Sequence, residues 1–261
     1  MNTREVWKLG GTSLDTAEKR TQIGQKVAAE HNKDLVIVVS AASGVTDYLL
    51  QITSSIPGIT QDVIDAYVAA GELASAALVA ACVQASGRPA EVVMPTTLFR
   101  CNDRFGDADV LEVEPASLLE GFRHGVVSVV PGFYGLSTDG RVCLLGRGGS
   151  DYTAVLLGAA LRSRVVLLKN DTDGIYTADP NVNPDAVRYE RLTHAEALAL
   201  SFRGAKVLNG KAAAVAMKEK VTVQVRSTFG SGPGTLISSE PSPPADSIAG
   251  ASCRDRSLQA V

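Results

Sequence analysis

Leu35-Val36-Ile37-Val38-Val39-Ser40-Ala41-Ala42-Ser43-Gly44-Val45-Thr46-Asp47 decides how this chain folds. Five consecutive branched apolar residues show no polar alternation, the pattern of a strand buried on both faces. The run then empties into small and polar residues that close on a glycine, a loop signal. Three more units share that texture. Val6-Trp7-Lys8 leads into Leu9-Gly10-Gly11-Thr12-Ser13. Val142-Cys143-Leu144-Leu145 leads into Gly146-Arg147-Gly148-Gly149-Ser150-Asp151-Tyr152-Thr153-Ala154. Val165-Val166-Leu167-Leu168 leads into Asn170-Asp171-Thr172-Asp173-Gly174.

Between these units lie helical stretches: Ala17 to Glu30, Gln61 to Gln84 (one helix or two), Ala154 to Leu161, Ala195 to Ser201 and Lys211 to Lys218. Further strands are expected at Ala90 to Met94, Val126 to Val130 and Thr222 to Arg226. Strand–helix alternation predicts an α/β fold, a three-layer α/β/α sandwich around a mainly parallel sheet. Such sheets bind ligands at the carboxyl ends of their strands, so the glycine loops converge on one crevice. No internal repeat is visible.

The 261 residues carry 25 basic and 28 acidic side chains, a net charge of −3, with 45% hydrophobic residues. That is enough for one large core. Without a basic run, nucleic acid is not an expected partner. The four cysteines form no C-x-x-C pair, which excludes a zinc or disulfide framework and fits a reducing cytoplasm. Met1 to Glu5 has no signal-peptide h-region. Ala66 to Val83 is apolar but alanine-rich and carries Glu72, so it reads as a core helix and not as a membrane span.

The candidate chemistry is positional. A P-loop, protein-kinase motifs and a G-x-S-x-G elbow are all absent. The three histidines are isolated, and His31 and His194 read as solvated or capping. What remains is a set of cations beside glycines: Lys8 by Gly10 and Gly11, Arg147 by Gly148 and Gly149, and Lys206 in Gly204-Ala205-Lys206. Phosphoryl transfer needs such cations and backbone N–H groups, and little covalent chemistry from the protein. Arg147 can fork onto a carboxylate or phosphate. A lone lysine is ordinarily a surface charge; Lys8 resists that reading because it ends a strand and precedes two glycines. Buried Glu72 requires a cation, either a substrate ammonium or a protein Arg or Lys.

Taken in order, Lys8 to Ser13, Val39 to Asp47, Gly71-Glu72, Gly146 to Ala154, Asp171 to Pro180, Gly204 to Leu208 and Gly234-Thr235-Leu236-Ile237 resemble the catalytic domain of aspartate kinase, in the amino-acid kinase superfamily. The resemblance covers about residues 4 to 237. It implies ATP-dependent phosphorylation of the side-chain carboxylate of L-aspartate to 4-phospho-L-aspartate, with Mg²⁺ bridging phosphates. Lys8, Asp151 and Lys206 would be catalytic. Ser40, Thr46, Glu72, Arg147, Ser150 and Asp151 would bind the acceptor, Glu72 and Asp151 taking its ammonium and Arg147 its α-carboxylate. Lys8, Gly10, Gly11, Asn170, Asp171, Tyr176, Pro180 and Lys206 would hold the nucleotide. No residue set for a resident metal is implied.

The sequence departs from the family pattern at Ala70, where a Ser commonly precedes the Gly-Glu pair, over Leu98 to Asp109, which matches only loosely, and in two further motifs. Asp179-Pro180-Asn181 stands where Asp-Pro-Arg is common, and Leu208-Asn209-Gly210 where Leu-His-Pro is common. Residues 1–237 are thus expected to form the catalytic domain, and 238–261 a linker and a short remnant resembling the start of an ACT module. That predicts no feedback inhibition by lysine or threonine in this chain alone. An apolar strand at Ile248 to Ala251 would be an exposed edge, which favours a homodimer or docking back onto the domain. A catalytic subunit that recruits a separate ACT-containing chain is the other arrangement the resemblance implies. A kinase of a related amino acid, or a catalytically weak binding protein of the same fold, are the competing readings.

Overall fold

A computed structural model describes residues 3–180, 182–202 and 208–240. Twelve strands and seven helices occur among them: β1 (Thr3–Leu9), α1 (Ala17–Ala29), β2 (Lys33–Val39), α2 (Val45–Ser54), α3 (Gln61–Ala85), β3 (Ala90–Val92), β4 (Phe99–Cys101), β5 (Val110–Val113), α4 (Ala116–Arg123), β6 (Val127–Pro131), β7 (Tyr134–Leu136), β8 (Val142–Leu144), α5 (Gly149–Ala160), β9 (Val165–Asn170), β10 (Arg191–Thr193), α6 (His194–Phe202), α7 (Gly210–Glu219), β11 (Val223–Ser227) and β12 (Thr235–Ser238).

Eight strands form one sheet in the order β10-β12-β11-β9-β1-β2-β6-β3, and only the β11–β12 pairing is antiparallel. The decisive run at 35–39 is wholly buried in β2, next to the central strand β1. Its side chains alternate between two cores. Val36 and Val38 join the layer built by α5 and α7, with Val155, Leu157, Ala212 and Ala216. Leu35, Ile37 and Val39 join the layer built by α1 and α3, with Ile23, Val27, Val79 and Val83. An unbroken hydrophobic strand is therefore what a sheet covered on both faces requires. From β1 the chain winds outward to β2 on one side and β9 on the other, and the carboxyl ends of these strands open the crevice.

The sequence reading needs correction in several places. Helix α5 begins at Gly149, not Ala154, because Gly148 takes a left-handed conformation (φ 75°) and caps the helix five residues earlier. Ser150 and Asp151 therefore stand on the first helical turn, and both line the crevice. Gln61 to Gln84 is one helix. Helices α2 and α4 were not expected. Nor was a separate four-stranded sheet, β5-β4-β7-β8, whose strands are three or four residues each. This small sheet brings Cys101 and Cys143 together as hydrogen-bonded free thiols across Gly135, although they are scattered in sequence. His194 is buried and its Nε2 meets the Val221 carbonyl at 2.8 Å, so it is not solvated. Lys206, Asn181 and the segment 241–261 lie outside the described residues.

Helix α3 is long and apolar enough to cross a membrane by composition. In the fold, one face packs against α1, α2 and β8 and carries both Asp65 and Glu72.

Buried Lys169 lies on the opposite face of the sheet from Lys8, with its ammonium 3.7 Å from the Trp7 ring centroid. Burial, then Arg226 and Lys26, push its pKa down to about 7. The native amine therefore gives up its proton near neutrality, while the unfolded chain keeps it to about pH 10.4. Unfolding takes up a proton between these values, so this group makes stability rise with pH across that window. Lys169→Met is expected to stabilise the fold by about 1–3 kcal/mol at pH 6, net of the lost cation–π contact, with the gain shrinking toward pH 10. Urea titrations at both pH values check it.

Candidate active site

A cleft of about 390 Å³ lies over the carboxyl ends of β1 and β2. Lys8, Ser40, Thr46, Glu72, Arg147, Ser150 and Asp151 all line it. A larger groove of about 770 Å³ runs between α1 and α3, but its only ionisable groups are His31 and Cys82. Chemistry favours the smaller cleft.

Each wall follows from local structure. Lys8 is the penultimate residue of β1, on the α5 side of the sheet. Its Nζ lies 2.9 Å from Asp151 Oδ1 and donates to Asn170 Oδ1 at 3.4 Å. The Asp151 contact falls outside hydrogen-bond alignment, so Oδ1 has a charge partner but no aligned donor. Gly11 lets the first loop press on the second: a Cβ there would sit 2.5 Å from the Ala41 carbonyl oxygen. Gly10 N–H donates to the Lys169 carbonyl, and the glycine packs against Asn170 and Lys8.

Glu72 forms the acidic floor. It is 3% exposed, and Oε2 has no hydrogen-bond partner. No lysine or arginine among the described residues pairs with it, so none of them supplies the cation that a buried carboxylate needs. Burial pushes its pKa up to about 7, against the pull of the Ala41 and Glu72 backbone amides. The same charge and burial push the Tyr134 hydroxyl well above its ordinary pKa, burial being the larger cause. At the mouth, Arg147 is exposed and its guanidinium makes no ion pair among the described residues. Among the described residues the cleft thus holds one neutralised pair, Lys8–Asp151, one exposed unpaired cation, Arg147, one buried unpaired acid, Glu72, and the exposed carboxylate of Asp47 at its rim. An α-amino acid zwitterion is the complement of the Arg147–Glu72 couple.

Among the described residues, the other nucleotide-side groups are not in the cleft wall. Asn170 reaches it only through Lys8. Asp171 and Pro180 are exposed beyond β9. The Tyr176 hydroxyl donates to Asp173 Oδ1 at 2.6 Å. Among the described residues no three His, Cys, Asp or Glu side chains converge on a metal site.

Sequence reasoning missed the anchors of this site. Asp65, two helical turns before Glu72 on the same buried face, is fully buried. Its Oδ2 accepts from Gly106 N (2.7 Å) and Leu144 N (2.8 Å), and Oδ1 from Gln61 Nε2 (2.9 Å). It therefore fixes α3 to the start of the Arg147 loop. Asp65→Ala would orphan two backbone donors and is expected to cost about 2–4 kcal/mol, read by urea denaturation. Phe133 also lines the cleft, with a φ of 78° that is unusual for a bulky residue. Only the preceding glycine hinted at special backbone there.

The profile of the amino acid kinase family matches residues 3–227. The chain belongs to the amino acid kinase family. Within it, the chain is 36% identical to an aspartokinase of Thermus thermophilus, over 89% of this chain and 58% of that protein. It is equally similar to an aspartokinase of Corynebacterium glutamicum, 36% over 89% of this chain and 56% of that one. The chain therefore spans less than three fifths of the length of these curated relatives. Among solved structures, E. coli aspartokinase III in complex with aspartate and ADP superimposes with a TM-score of 0.82, at 27% identity, over 91% of this chain and 65% of that chain. The expected three-layer fold, with its mainly parallel sheet, is that of this amino acid kinase family.

Proposed function

We propose that this amino acid kinase transfers the γ-phosphoryl group of ATP to the side-chain carboxylate of L-aspartate, giving 4-phospho-L-aspartate and ADP. The observation that carries this reading is the unpaired couple Glu72 and Arg147 across a cleft that also holds Lys8. Glu72 would take the substrate ammonium and Arg147 its α-carboxylate, which leaves the side chain directed toward Lys8. Ser40, Thr46 and Ser150 would offer their hydroxyls to the acceptor, and Gly10, Gly11, Asn170, Asp171, Tyr176, Pro180 and Lys206 would supply the nucleotide contacts. The similarity to aspartokinases, one of them solved with aspartate and ADP, supports the same assignment.

In this reading a side-chain carboxylate oxygen forms the new O–P bond. The bond from the γ-phosphorus to the β–γ bridging oxygen breaks, and ADP leaves with the electron pair. The acceptor is already ionised at neutral pH, so no general base is required, in keeping with a cleft that contains no histidine. Lys8 would neutralise charge on the moving phosphoryl. Mg²⁺ fits as a companion of the nucleotide: this ion commonly relies on substrate phosphates and one or two carboxylates, and Asp171 and Asp173 stand exposed at the end of β9. When bound it would supply charge neutralisation at the phosphates.

We also read the enzyme as a cytoplasmic homodimer. The free thiols Cys82, Cys101 and Cys143 suit a reducing compartment. Tyr48, Val63, Tyr67 and Leu78 expose apolar surface on α2 and α3 that a second copy could cover. Light scattering tests the dimer.

The primary test is ADP release from Mg·ATP with a panel of amino acids. Turnover confined to L-aspartate, trapped as its hydroxamate, is expected. Turnover with a longer acidic acceptor in its place would reassign the substrate. Binding of ATP or aspartate without any turnover would favour a binding protein of this fold.

A further inference from the structure

The Arg147 loop is held from outside the cleft by the first turn of α7. Asn209 is the N-cap of that helix, and its Oδ1 accepts from Lys211 N at 2.9 Å and Ala212 N at 3.2 Å. The same side chain donates from Nδ2 to the Arg147 carbonyl at 2.5 Å. Its orientation is fixed by chemistry, since two N–H groups require the oxygen and a carbonyl requires the amide nitrogen. Contact is tight: a Cβ on Gly148, the left-handed residue that caps α5, would sit 2.9 Å from the Asn209 Cβ and Nδ2.

One residue therefore caps one helix while gripping the loop that opens another. Two positions further on, the Lys211 ammonium lies 2.7 Å from Asp107 Oδ1 and 3.0 Å from Asp109 Oδ1. Asp107 in turn packs directly against Gly146. The first turn of α7 thus braces the 146–149 loop at both ends. Among the described residues the Arg147 guanidinium has no ion-pair partner to hold it, so its direction depends on where its backbone is fixed.

We propose that Asn209 is a positioning residue for the acceptor site, fixing the backbone of Arg147 so that its guanidinium meets the substrate α-carboxylate. This rests on the acceptor-site reading given above. An aspartate at 209 would retain the cap, because it accepts the same two N–H bonds. It cannot donate to the Arg147 carbonyl and would face it with a negative charge. An alanine would lose both functions. The pair separates positioning from stability.

The test uses Asn209→Asp and Asn209→Ala in the full chain. N209D is expected to melt within about 2 °C of the parent, and N209A about 2–4 °C lower for the lost cap. In N209D, KM for L-aspartate should rise roughly 10-fold, while kcat and KM for ATP stay within about threefold. Hydrogen exchange at the amides of residues 147–149 should quicken about 10-fold in N209D, a readout that needs no turnover. Parental KM and parental exchange in N209D would overturn the proposal. So would a uniform fall of kcat, both KM-based efficiencies and melting temperature in the two variants, which marks a merely structural residue. If the parent does not use L-aspartate but the exchange contrast persists, the acceptor reading falls and the loop brace stands.

Discussion

Lys8→Met is expected to lower turnover at least ~1000-fold while changing L-aspartate affinity only a few-fold. The ammonium sits in a largely desolvated position, 11% exposed, between Asp151 and Asn170. In the proposed reaction, charge on the moving phosphoryl would be stabilised there by a cation already in place, in surroundings where water screens it poorly. Removing a single preorganised donor commonly costs ~10²–10³ in rate, and a full positive charge on phosphate is worth more. The substitution has a second consequence. Asp151 is 17% exposed and loses its charge partner, so the variant should also be less stable. Pairing Lys8→Met with Asp151→Asn removes the orphaned charge. The double variant should regain thermal stability without regaining turnover. ADP-release rates, aspartate calorimetry and melting curves on the two variants separate these effects. A Lys8→Met enzyme that keeps a tenth of parental kcat would exclude the phosphoryl-clamp role.

The strand-to-loop units were legible because their determinants are local. A run such as Leu35 to Val39 can only be satisfied between two apolar layers, and the glycines that follow mark where the backbone must turn or approach a neighbour. Thus β1, β2, β8 and β9, and most of the cleft they end in, could be read from the chain. What escaped depends on distant partners. Asp65 resembles any helical surface carboxylate; its meaning lies in amides 41 and 79 residues away. Asn209 is informative only because folding lays α7 against Arg147. Strands β4, β5 and β7 are too short for a period-2 pattern to register. The early start of α5 hangs on one left-handed residue, Gly148, in a run where three glycines compete for that role. Glu72 was legible as a buried acid, but that no described lysine or arginine pairs with it became visible only in three dimensions.

That isolated acid gives the second large effect. Glu72→Gln is expected to weaken L-aspartate binding at pH 8 by about 100-fold or more, because a buried carboxylate opposite an ammonium is replaced by a neutral amide. The same variant should be more stable than the parent at that pH. Folding raises the Glu72 pKa from an ordinary carboxylate value to about 7, chiefly by burial. Between these values the native state keeps a proton that the unfolded chain has released, so this group makes stability fall as pH rises from about 4.5 to 7, and the loss persists above it. Glutamine removes that cost. The gain should be about 1–3 kcal/mol at pH 8 and should vanish near pH 4. Ligand affinity must follow the opposite limb of the same titration. A bound ammonium requires Glu72 ionised, so parental KM for L-aspartate should climb as pH drops below 7, while the variant's weak binding stays flat across that range. Melting curves and KM values from pH 5 to 8 for both proteins decide it. A glutamine variant that binds aspartate like the parent, or that is destabilised at pH 8, would show that Glu72 serves the fold and not the substrate.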